Sequence, residues 1–173
     1  FQTTVLINSS YAMELGFIDQ DEYGVDAAVW IGGPGIAGAT AVGEALTGKI
    51  NPSGRLVYTY AYDLRTQSTY NTSDYNYYYS AEDPAKIFGG FSNYSEGIYV
   101  GYRWYETADA EGYWNNVSNE YGQGYEGVVQ YPFGYGMSYT TFTQKITSTE
   151  ENDGVVNFEV EVTNTGDTYA GKD

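Results

Sequence analysis

Hydrophobic residues near the beginning of the chain come in short, nearly unbroken runs. Residues 3–8 (TTVLIN) and 25–31 (VDAAVWI) are apolar and rich in β-branched side chains. Such runs are typical of strands buried on both faces, as in a parallel sheet. Residues 11–23 have room for a short helix or loop. Residues 36–47 carry apolar side chains at helical spacing, with Gly48 placed as a C-terminal cap. This order of elements predicts the α/β class.

The middle of the chain, residues 58–130, has a different character. It holds most of the 21 tyrosines together with many Asn, Ser and Gly residues. Residues 98–106 predict either a strand or a helix. We interpret the rest as a long excursion that packs tyrosine rings on the domain and leaves their hydroxyls in water. Interleaved Val, Ile, Trp and Phe residues argue against a low-complexity segment.

From about residue 143, apolar and polar positions alternate. Apolar side chains occupy every second position at Val156, Phe158, Val160 and Val162. The pattern predicts a half-buried antiparallel strand, with residues 144–149 as its partner and residues 164–167 as a turn. Two strands are too few for a stable sheet, so we expect a β-sandwich to begin here. Because Phe1 leads directly into a strand and the chain stops at Asp173, we expect both ends to be cuts through folded domains.

The composition excludes several classes of function. A formal net charge of -16, from 23 acidic and 7 basic residues, argues against nucleic acid or an anionic membrane as partner. Without cysteine or histidine, the chain cannot form a disulfide, a thiolate metal site or a Ser-His-Asp triad. No apolar run approaches the roughly 20 residues of a membrane span. Any catalysis would use carboxylates, Lys, Tyr, Ser or Thr, and a neutral ligand such as a sugar is compatible with the charge.

A glycine-rich turn follows the second apolar run. Gly33, Gly35 and Gly38 match the GxGxxG pattern of dinucleotide-binding turns, between a predicted strand and a predicted helix. Asp63 follows a later apolar run, but it lies beyond the usual ~20-residue offset of the acidic residue that binds ribose. We therefore favour a tight turn without a ligand and predict no cofactor.

Four carboxylates lie beside aromatic residues that could stack on sugar rings: Glu14, Asp63, Glu96 and Glu106. Glycoside hydrolysis needs two carboxyl groups, ~5–5.5 Å apart for retention or ~6.5–9.5 Å apart for inversion. No pair here has a diagnostic spacing, and acidic residues abound in the chain. We therefore favour a surface or structural role for each of the four.

Asn-X-Ser/Thr triplets, the acceptors of N-glycosylation in secreted eukaryotic proteins, occur four times. They begin at Asn8, Asn71, Asn93 and Asn116. In a chain so rich in Asn, Ser and Thr, chance is a sufficient explanation.

Three strings, in this order and at this spacing, carry a resemblance to a known family. Residues 25–60 have the sequence VDAAVWIGGPGIAGATAVGEALTGKINPSGRLVYTY, residues 96–106 have EGIYVGYRWYE, and residues 131–142 have YPFGYGMSYTTF. Together they resemble the second half of the α/β sandwich domain of glycoside hydrolase family 3, the β-glucosidases and their relatives. The tail, EVEVTNTGDTYAGKD, resembles the start of the fibronectin type III-like domain that follows it.

The resemblance implies a division of the chain into two parts. Residues 1–142 would belong to a mostly parallel α/β sandwich, with the tyrosine-rich excursion at 58–130. Residues 143–173 would begin an immunoglobulin-like β-sandwich. The excursion looks most like a bacterial branch in which the α/β and fibronectin-like domains precede the catalytic barrel.

The resemblance also implies a retaining exo-acting hydrolase that removes a terminal β-linked sugar, most often glucose, without a metal or organic cofactor. In this family the nucleophile is an Asp on a (β/α)8 barrel domain. The acid/base is usually a Glu in a glycine-rich segment upstream of the part matched here. Neither has a counterpart in these 173 residues, so we assign no catalytic residue and no substrate-binding residue. The isolated chain is expected to be inactive without the barrel and the first half of the α/β domain.

This sequence departs from the family pattern at one position. The family often has PGQ and then an acidic or small polar residue after the glycine turn, whereas Ile36 and Ala37 follow Pro34 and Gly35 here. An apolar residue there removes a polar side chain from the edge of the sheet where α/β proteins usually bind ligands. Elsewhere, Arg55 in the string NPSGRL is expected to pair with a carboxylate or to cap carbonyls. YPFGYG is expected to form an aromatic clasp between the two domains.

Two hypotheses of other classes stand beside the fragment of a family 3 β-glycosidase. In the first, the chain is a carbohydrate-binding or scaffolding module that uses exposed tyrosines as stacking platforms. In the second, the GxGxxG match marks a dinucleotide-binding domain. Binding of simple sugars or of nicotinamide cofactors would distinguish them.

Overall fold

The computed structural model describes residues 2–70 and 94–167, which form two compact units. Unit 1 contains residues 2–33, 56–70 and 94–135, and unit 2 contains residues 34–55 and 136–167. The helices are α1 (Gly38–Leu46) and α2 (Tyr102–Ala110). The strands are β1 (Thr4–Ile7), β2 (Ala27–Trp30), β3 (Tyr60–Ala61), β4 (Val129–Tyr131), β5 (Phe142–Asn152) and β6 (Val155–Asn164). The predicted boundary between residues 142 and 143 stays a prediction.

The first two apolar runs form the parallel pair that their sequence predicts. β1 and β2 pair in register from Thr4 opposite Ala27 to Ile7 opposite Trp30. In these two strands Ile7 alone is buried. The expectation of strands buried on both faces is therefore wrong for the described residues, because they supply too few neighbouring elements to cover a two-stranded sheet.

The segment between β1 and β2 forms two short 3₁₀ helices, Gly16–Asp19 and Asp21–Tyr23. Leu15, just before the first, is 2% exposed and packs in a cluster with Ile7 and Tyr60. This cluster joins β1 to β3. It buries Leu15, although the two residues before it, 13 and 14, are exposed.

The main core of unit 1 lies where α2 packs near β3 and β4. Helix α2 begins after Gly101, whose φ of 57° few other residues adopt. The segment 98–106, predicted as strand or helix, therefore becomes helical from residue 102. The buried members of the core are Ala61, Tyr105, Ala108, Trp114, Val128 and Val129. Tyr105 and Ala108 are three residues apart and so share one helix face.

In unit 2, α1 ends in a Schellman motif. The N–H of Gly48 donates to the carbonyl of Ala45 at 3.0 Å, and the N–H of Lys49 donates to the carbonyl of Glu44 at 2.9 Å. Gly48 has a φ of 74°, a region that favours glycine. The predicted C-terminal cap is confirmed.

Two of the family-specific strings meet inside unit 2. The side-chain carbonyl of Asn51 accepts hydrogen bonds from the Ser138 hydroxyl at 3.0 Å and from the backbone N–H of Tyr139 at 2.9 Å. Arg55 donates to the carbonyl of Gly136, which confirms that it caps a carbonyl. A Cβ at Gly136 would lie 2.6 Å from the carbonyl oxygen of Gly54, so the close approach of the two segments requires glycine there.

Strands β5 and β6 form an antiparallel hairpin. The turn residues Asp153 and Gly154 both have positive φ, 51° and 75°, as a two-residue type I′ turn requires. The partner strand predicted at residues 144–149 is confirmed. Every residue of β6 is exposed, including Phe158 at 61%. The prediction of a half-buried strand is therefore wrong for the described residues, because none of them packs on either face of this two-stranded ribbon.

Two glycines of unit 2 provide a matched test of the α1 cap. Gly48→Ala should destabilise the fold by about 1 kcal/mol, because an L-residue is strained at positive φ. Gly43→Ala should stabilise it by about 0.5–1 kcal/mol, because Gly43 is exposed inside α1 and has nothing within 4 Å of an added Cβ. Urea unfolding of both variants measures the difference. Equal effects of the two substitutions would contradict the assigned cap.

Candidate functional site

A cleft of about 370 Å³ in unit 1, here called the acidic cleft, brings two of the four predicted carboxylates together. Its walls come from residues 62–66 and 114–128, with Glu14 at its border. Glu14 Oε1 accepts a 2.9 Å hydrogen bond from the backbone N–H of Leu64, which is the residue after Asp63. Glu14 and Asp63 lie far apart in the sequence, so the sequence alone did not predict that they line the same cleft.

Asp63 is fully engaged by neighbours. Its Oδ1 accepts from the backbone N–H of Arg65 at 2.8 Å, at the start of the 3₁₀ helix Leu64–Thr66. The Arg65 guanidinium donates Nε to both carboxylate oxygens, at 2.9 and 3.0 Å, and Nη2 to Oδ2 at 2.6 Å. These hydrogen bonds from Arg65 lower the pKa of Asp63. A carboxylate held ionised in this way is unsuited to act as a general acid.

The other two carboxylates lie apart from the acidic cleft. Glu106 is on the exposed side of α2, where its Oε1 accepts a 2.5 Å hydrogen bond from the Tyr125 hydroxyl. Burial, and next the hydrogen bond to Glu106, raises the pKa of Tyr125 far above its usual range. Glu96 is partly buried, and its Oε2 has no hydrogen-bond partner.

A second cleft of unit 1, about 540 Å³ in volume, contains Glu96 and is here called the aromatic cleft. Its aromatic lining consists of Tyr99, Trp104, Tyr113 and Trp114. Its polar lining includes Gln67, Ser68 and Ser95, and it shares Arg65, Thr66 and Trp114 with the acidic cleft. The string EGIYVGYRWYE thus contributes Glu96, Tyr99 and Trp104 to one wall.

A network of tyrosines beside the acidic cleft was missed by sequence reasoning. The rings of Tyr62 and Tyr121 stack at 3.9 Å with an interplanar angle of 5°. The Tyr62 hydroxyl donates to Asp19 Oδ2 at 2.7 Å, and Gln130 Nε2 donates to the same oxygen at 2.8 Å. Burial, followed by the hydrogen bond to Asp19, raises the pKa of Tyr62 well above its usual range. No sequence signal connects residues so far apart in a chain with 21 tyrosines.

Two of the three glycines of the GxGxxG match, Gly35 and Gly38, have structural explanations, whereas Gly33 has open space around it and no positive φ. In unit 2, Gly35 adopts a φ of 66° within the turn that precedes α1. A Cβ at Gly38 would lie 2.6 Å from Cβ of Pro34, so this position needs glycine without any ligand. Ile36 is fully exposed. Asp63, the candidate ribose acid, is held by Arg65 as described above. These observations favour the ligand-free turn.

Three further expectations concern modification, metals and membranes. Asn8 and Asn116 are exposed, whereas Asn71 and Asn93 lie outside the described residues. Within residues 2–70 and 94–167, no three acidic side chains are grouped as a metal site would require. No helix of those ranges is both long and apolar enough to cross a membrane.

Comparison with known proteins identifies the family. Residues 2–102 match the family model described as the glycosyl hydrolase family 3 C-terminal domain. The chain therefore belongs to glycoside hydrolase family 3, and its α/β class is confirmed. A β-glucosidase of Ruminococcus albus is 32% identical over 152 residues, which cover 88% of this chain and 13% of that protein. Beta-glucosidase B of Emericella nidulans is also 32% identical, over 98% of this chain and 18% of that protein.

Comparison with solved structures also finds β-glucosidases. A β-glucosidase from Paenibacillus barengoltzii superposes with a TM-score of 0.69 at 29% identity, over 95% of this chain and 15% of that one. A β-glucosidase from Kluyveromyces marxianus superposes with a TM-score of 0.71 at 26% identity, over 97% of this chain and 16% of that one. The chain thus spans less than a fifth of the length of these relatives. The bacterial branch with permuted domains stays a prediction.

The ion pair of Asp63 predicts a specific titration. Replacing Arg65 with Met should raise the pKa of the Asp63 carboxyl towards the ordinary value of about 3.9, because the hydrogen bonds that favour the ionised form are lost. Since the folded-state pKa is lowered, Asp63 contributes stability that is present above the unfolded pKa and is lost as the pH falls through the folded pKa. NMR titration of the carboxyl carbon measures the shift.

A matched control removes the other ion-paired cation of the described residues. Lys49→Met breaks the pair with Glu44 in unit 2 and should leave the titration of Asp63 unchanged. An unchanged Asp63 titration in Arg65→Met would show that Arg65 does not set the pKa.

The tyrosine stack predicts the cost of a side chain at Gly16. A Cβ there would lie 2.7 Å from the Tyr121 hydroxyl oxygen and 3.0 Å from its Cζ, so Gly16→Ala should displace the ring and destabilise the fold by about 1–3 kcal/mol. Gly33→Ala, with open space and no positive φ, should change stability by less than about 0.5 kcal/mol. Thermal unfolding compares them. A Gly16→Ala variant as stable as the parent would contradict the close packing of the Tyr121 ring against Gly16.

Proposed function

We propose that this chain is part of the C-terminal α/β domain of a longer retaining exo-β-glycosidase, with terminal β-glucosides as its first candidate substrate. The observation that carries the proposal is the match of residues 2–102 to the family 3 C-terminal domain. Relatives named β-glucosidase align over most of the same chain. Solved relatives from Kluyveromyces marxianus and Streptomyces venezuelae are described as complexes with glucose.

The chemistry of such an enzyme requires a nucleophile and an acid/base that converge on one glycosidic bond. The family resemblance places the nucleophilic Asp on a barrel domain and the acid/base Glu upstream of the matched segment. The state of the carboxylates in this chain supports that assignment. Asp63 is neutralised by Arg65, Glu14 accepts from a backbone N–H, and Glu106 accepts from Tyr125. We infer that none of the three performs the reaction and that the chain contributes structure around it.

The C-terminal hairpin supports a finer proposal about domain organisation. We propose that residues 143–173 begin a fibronectin type III-like domain and that residues 1–142 belong to the α/β sandwich. The alternating apolar residues of β6, all exposed among the described residues, are suited to packing in a β-sandwich with further strands.

The names of the relatives do not point to a single sugar as the substrate. An exo-α-(1→6)-L-arabinopyranosidase of Bifidobacterium breve is 30% identical over 80% of this chain. The part of the enzyme represented here is therefore compatible with more than one sugar. This supports placing the determinants of specificity outside these 173 residues.

The test compares the longer polypeptide with the isolated chain. The polypeptide in which we place this chain should hydrolyse p-nitrophenyl β-D-glucopyranoside, and proton NMR should show the β-anomer as the first product, because retention conserves configuration. p-Nitrophenyl α-L-arabinopyranoside serves as the second substrate. The 173-residue chain alone should give no turnover above buffer.

Two results would overturn the proposal. Turnover by the isolated chain that is abolished by Glu14→Gln, Asp63→Asn, Glu96→Gln or Glu106→Gln would contradict the assignment of both catalytic carboxyls to other segments. Absence of hydrolysis by the folded longer polypeptide on a panel of aryl β-glycosides would contradict the glycosidase function itself.

A further inference from the structure

We propose that the aromatic cleft of unit 1 is a binding site for a neutral oligosaccharide of β-linked pyranoses. The proposal concerns binding by this chain and requires no hydrolysis, so it stands independently of the glycosidase proposal. It rests on three features of the described part of the cleft: a fixed and exposed aromatic ring, a carboxylate oxygen without a hydrogen-bond partner, and a shortage of positive charge.

Tyr113 provides the aromatic platform. Its side chain is 65% exposed, yet the ring is held by edge-to-face contacts with Trp114, at 4.7 Å and 88°, and with Trp104, at 5.5 Å and 62°. Trp114 is buried, and the Trp104 indole N–H donates to the carbonyl of Thr66 at 2.8 Å. An exposed ring fixed by an anchored pair loses little conformational freedom when a ligand stacks on it.

The ligand that fits this platform has flat apolar faces and polar edges. A β-linked glucopyranose carries its hydroxyl groups equatorially, so its axial C–H bonds form an apolar surface on each face. Binding sites commonly combine aromatic walls with a few polar groups that fix the orientation of the ligand. The aromatic cleft offers such groups in Gln67 and Ser95, whereas the Ser68 hydroxyl already donates to the carbonyl of Tyr99.

Glu96 provides the hydrogen-bond acceptor. Its Oε2 is shielded from solvent and has no partner, and no side-chain hydrogen bond to Glu96 occurs among residues 2–70 and 94–167. A shielded carboxylate oxygen without a donor carries an uncompensated desolvation penalty. A small rotation of the side chain towards a sugar hydroxyl would satisfy it. In contrast, Asp63 lines the acidic cleft and already accepts four hydrogen bonds from Arg65.

Charge distinguishes a neutral sugar from other ligands. Among the described residues that line the cleft, one has a cationic side chain, Arg65, and its guanidinium is engaged with Asp63. Phosphorylated or carboxylated ligands would therefore meet Glu96 and a net charge of -16 without a free counter-charge. A metal ion would need further acidic ligands, and the described residues contain no such group. A cationic amine is the remaining competitor, and the experiment includes it.

The experiment titrates the 173-residue chain with cellotetraose and, separately, with lysine amide, by isothermal calorimetry and two-dimensional NMR. Saturable binding of cellotetraose is expected, with a dissociation constant of about 0.1–1 mM, as for a small site with one platform and few polar contacts. Maltotetraose, which is α-linked and curved, should bind at least about fivefold more weakly. Lysine amide should not saturate.

Four variants test the assigned contacts. Tyr113→Ala should weaken cellotetraose binding about tenfold, whereas Tyr113→Phe, which keeps the ring, should stay within about twofold of the parent. Glu96→Gln should weaken it about fivefold, because a neutral amide is a poorer acceptor. The matched controls are Tyr11→Ala, at a ring that is 76% exposed and outside the cleft, and Glu120→Gln, at an exposed carboxylate. Both controls should bind as the parent does.

Several outcomes would overturn the proposal. These are no saturation with cellotetraose by the folded chain, equal losses in Tyr113→Ala and Tyr11→Ala, or saturation with lysine amide that Glu96→Gln abolishes. If Tyr113→Ala does not fold, as judged by near-ultraviolet circular dichroism, the loss expected for Glu96→Gln, measured against Glu120→Gln, still decides the case. If cellotetraose does not bind, the proposal that the longer polypeptide hydrolyses glycosides is not contradicted. If the longer polypeptide does not hydrolyse glycosides, the proposal of sugar binding by this chain is not contradicted.

Discussion

Unit 1 depends on the pairing of residues 56–62 with residues 128–135. The backbone of Leu56 exchanges hydrogen bonds with Tyr135 and Gly134 at 2.8 Å each, β3 pairs with β4, and the N–H of Tyr62 donates to the carbonyl of Val128 at 3.0 Å. These contacts close a loop of more than sixty residues, whose entropic cost must be met by the contacts it allows. The buried cluster around Tyr105 and Trp114 supplies that compensation.

Both clefts are consequences of this pairing. Residues 62–68, which follow β3, form one wall, and residues between 95 and 128 form the other. Whether a carboxylate is neutralised or left without a donor then depends on which side chains surround it. Asp63 is followed two residues later by Arg65 and is neutralised locally. Glu96 lies in a cleft lined by aromatic residues, and its Oε2 has no hydrogen-bond donor. The difference between a structural carboxylate and a candidate ligand acceptor is therefore set by immediate surroundings and not by residue type.

The sequence predicted the features that depend on local pattern. The unbroken runs gave the parallel β1–β2 pair, Gly48 gave the end of α1, and the alternation after residue 154 gave an antiparallel strand. The three strings identified family 3, which the family comparison confirms. The burial of the strands was predicted wrongly. A hydrophobic pattern shows which faces of a strand can be buried, but it does not show whether other elements pack on those faces.

The sites were less accessible to sequence reasoning because they depend on long-range contacts. Glu14 reaches Leu64, Tyr121 stacks on Tyr62, and Tyr113 rests against Trp104. The first two contacts join residues fifty or more positions apart. A tyrosine-rich stretch offers many equivalent partners, so its pattern alone cannot select one. Once the fold fixes which rings meet, the exposed and the buried tyrosines acquire different roles.

The abundance of tyrosine also bears on how so acidic a chain folds. With 7 basic residues against 23 acidic ones, most carboxylates cannot have an ion-pair partner, and the described residues contain two ion pairs, Lys49–Glu44 and Arg65–Asp63. Phenol and amide groups act as hydrogen-bond donors to carboxylates that lack a cation. Tyr62 and Gln130 donate to Asp19, and Tyr125 donates to Glu106.

These hydroxyls remain protonated donors over the physiological range. Burial and nearby carboxylates raise the pKa of Tyr62 and Tyr125 far above the ordinary value, and burial, with the charge of Asp19 second, raises that of Tyr131 to about 12. A neutral donor compensates a carboxylate without adding a cation to the surface. The chain can thus keep a surface of strongly negative charge, which repels anionic ligands but is indifferent to sugars, and still satisfy carboxylates where the fold brings them together.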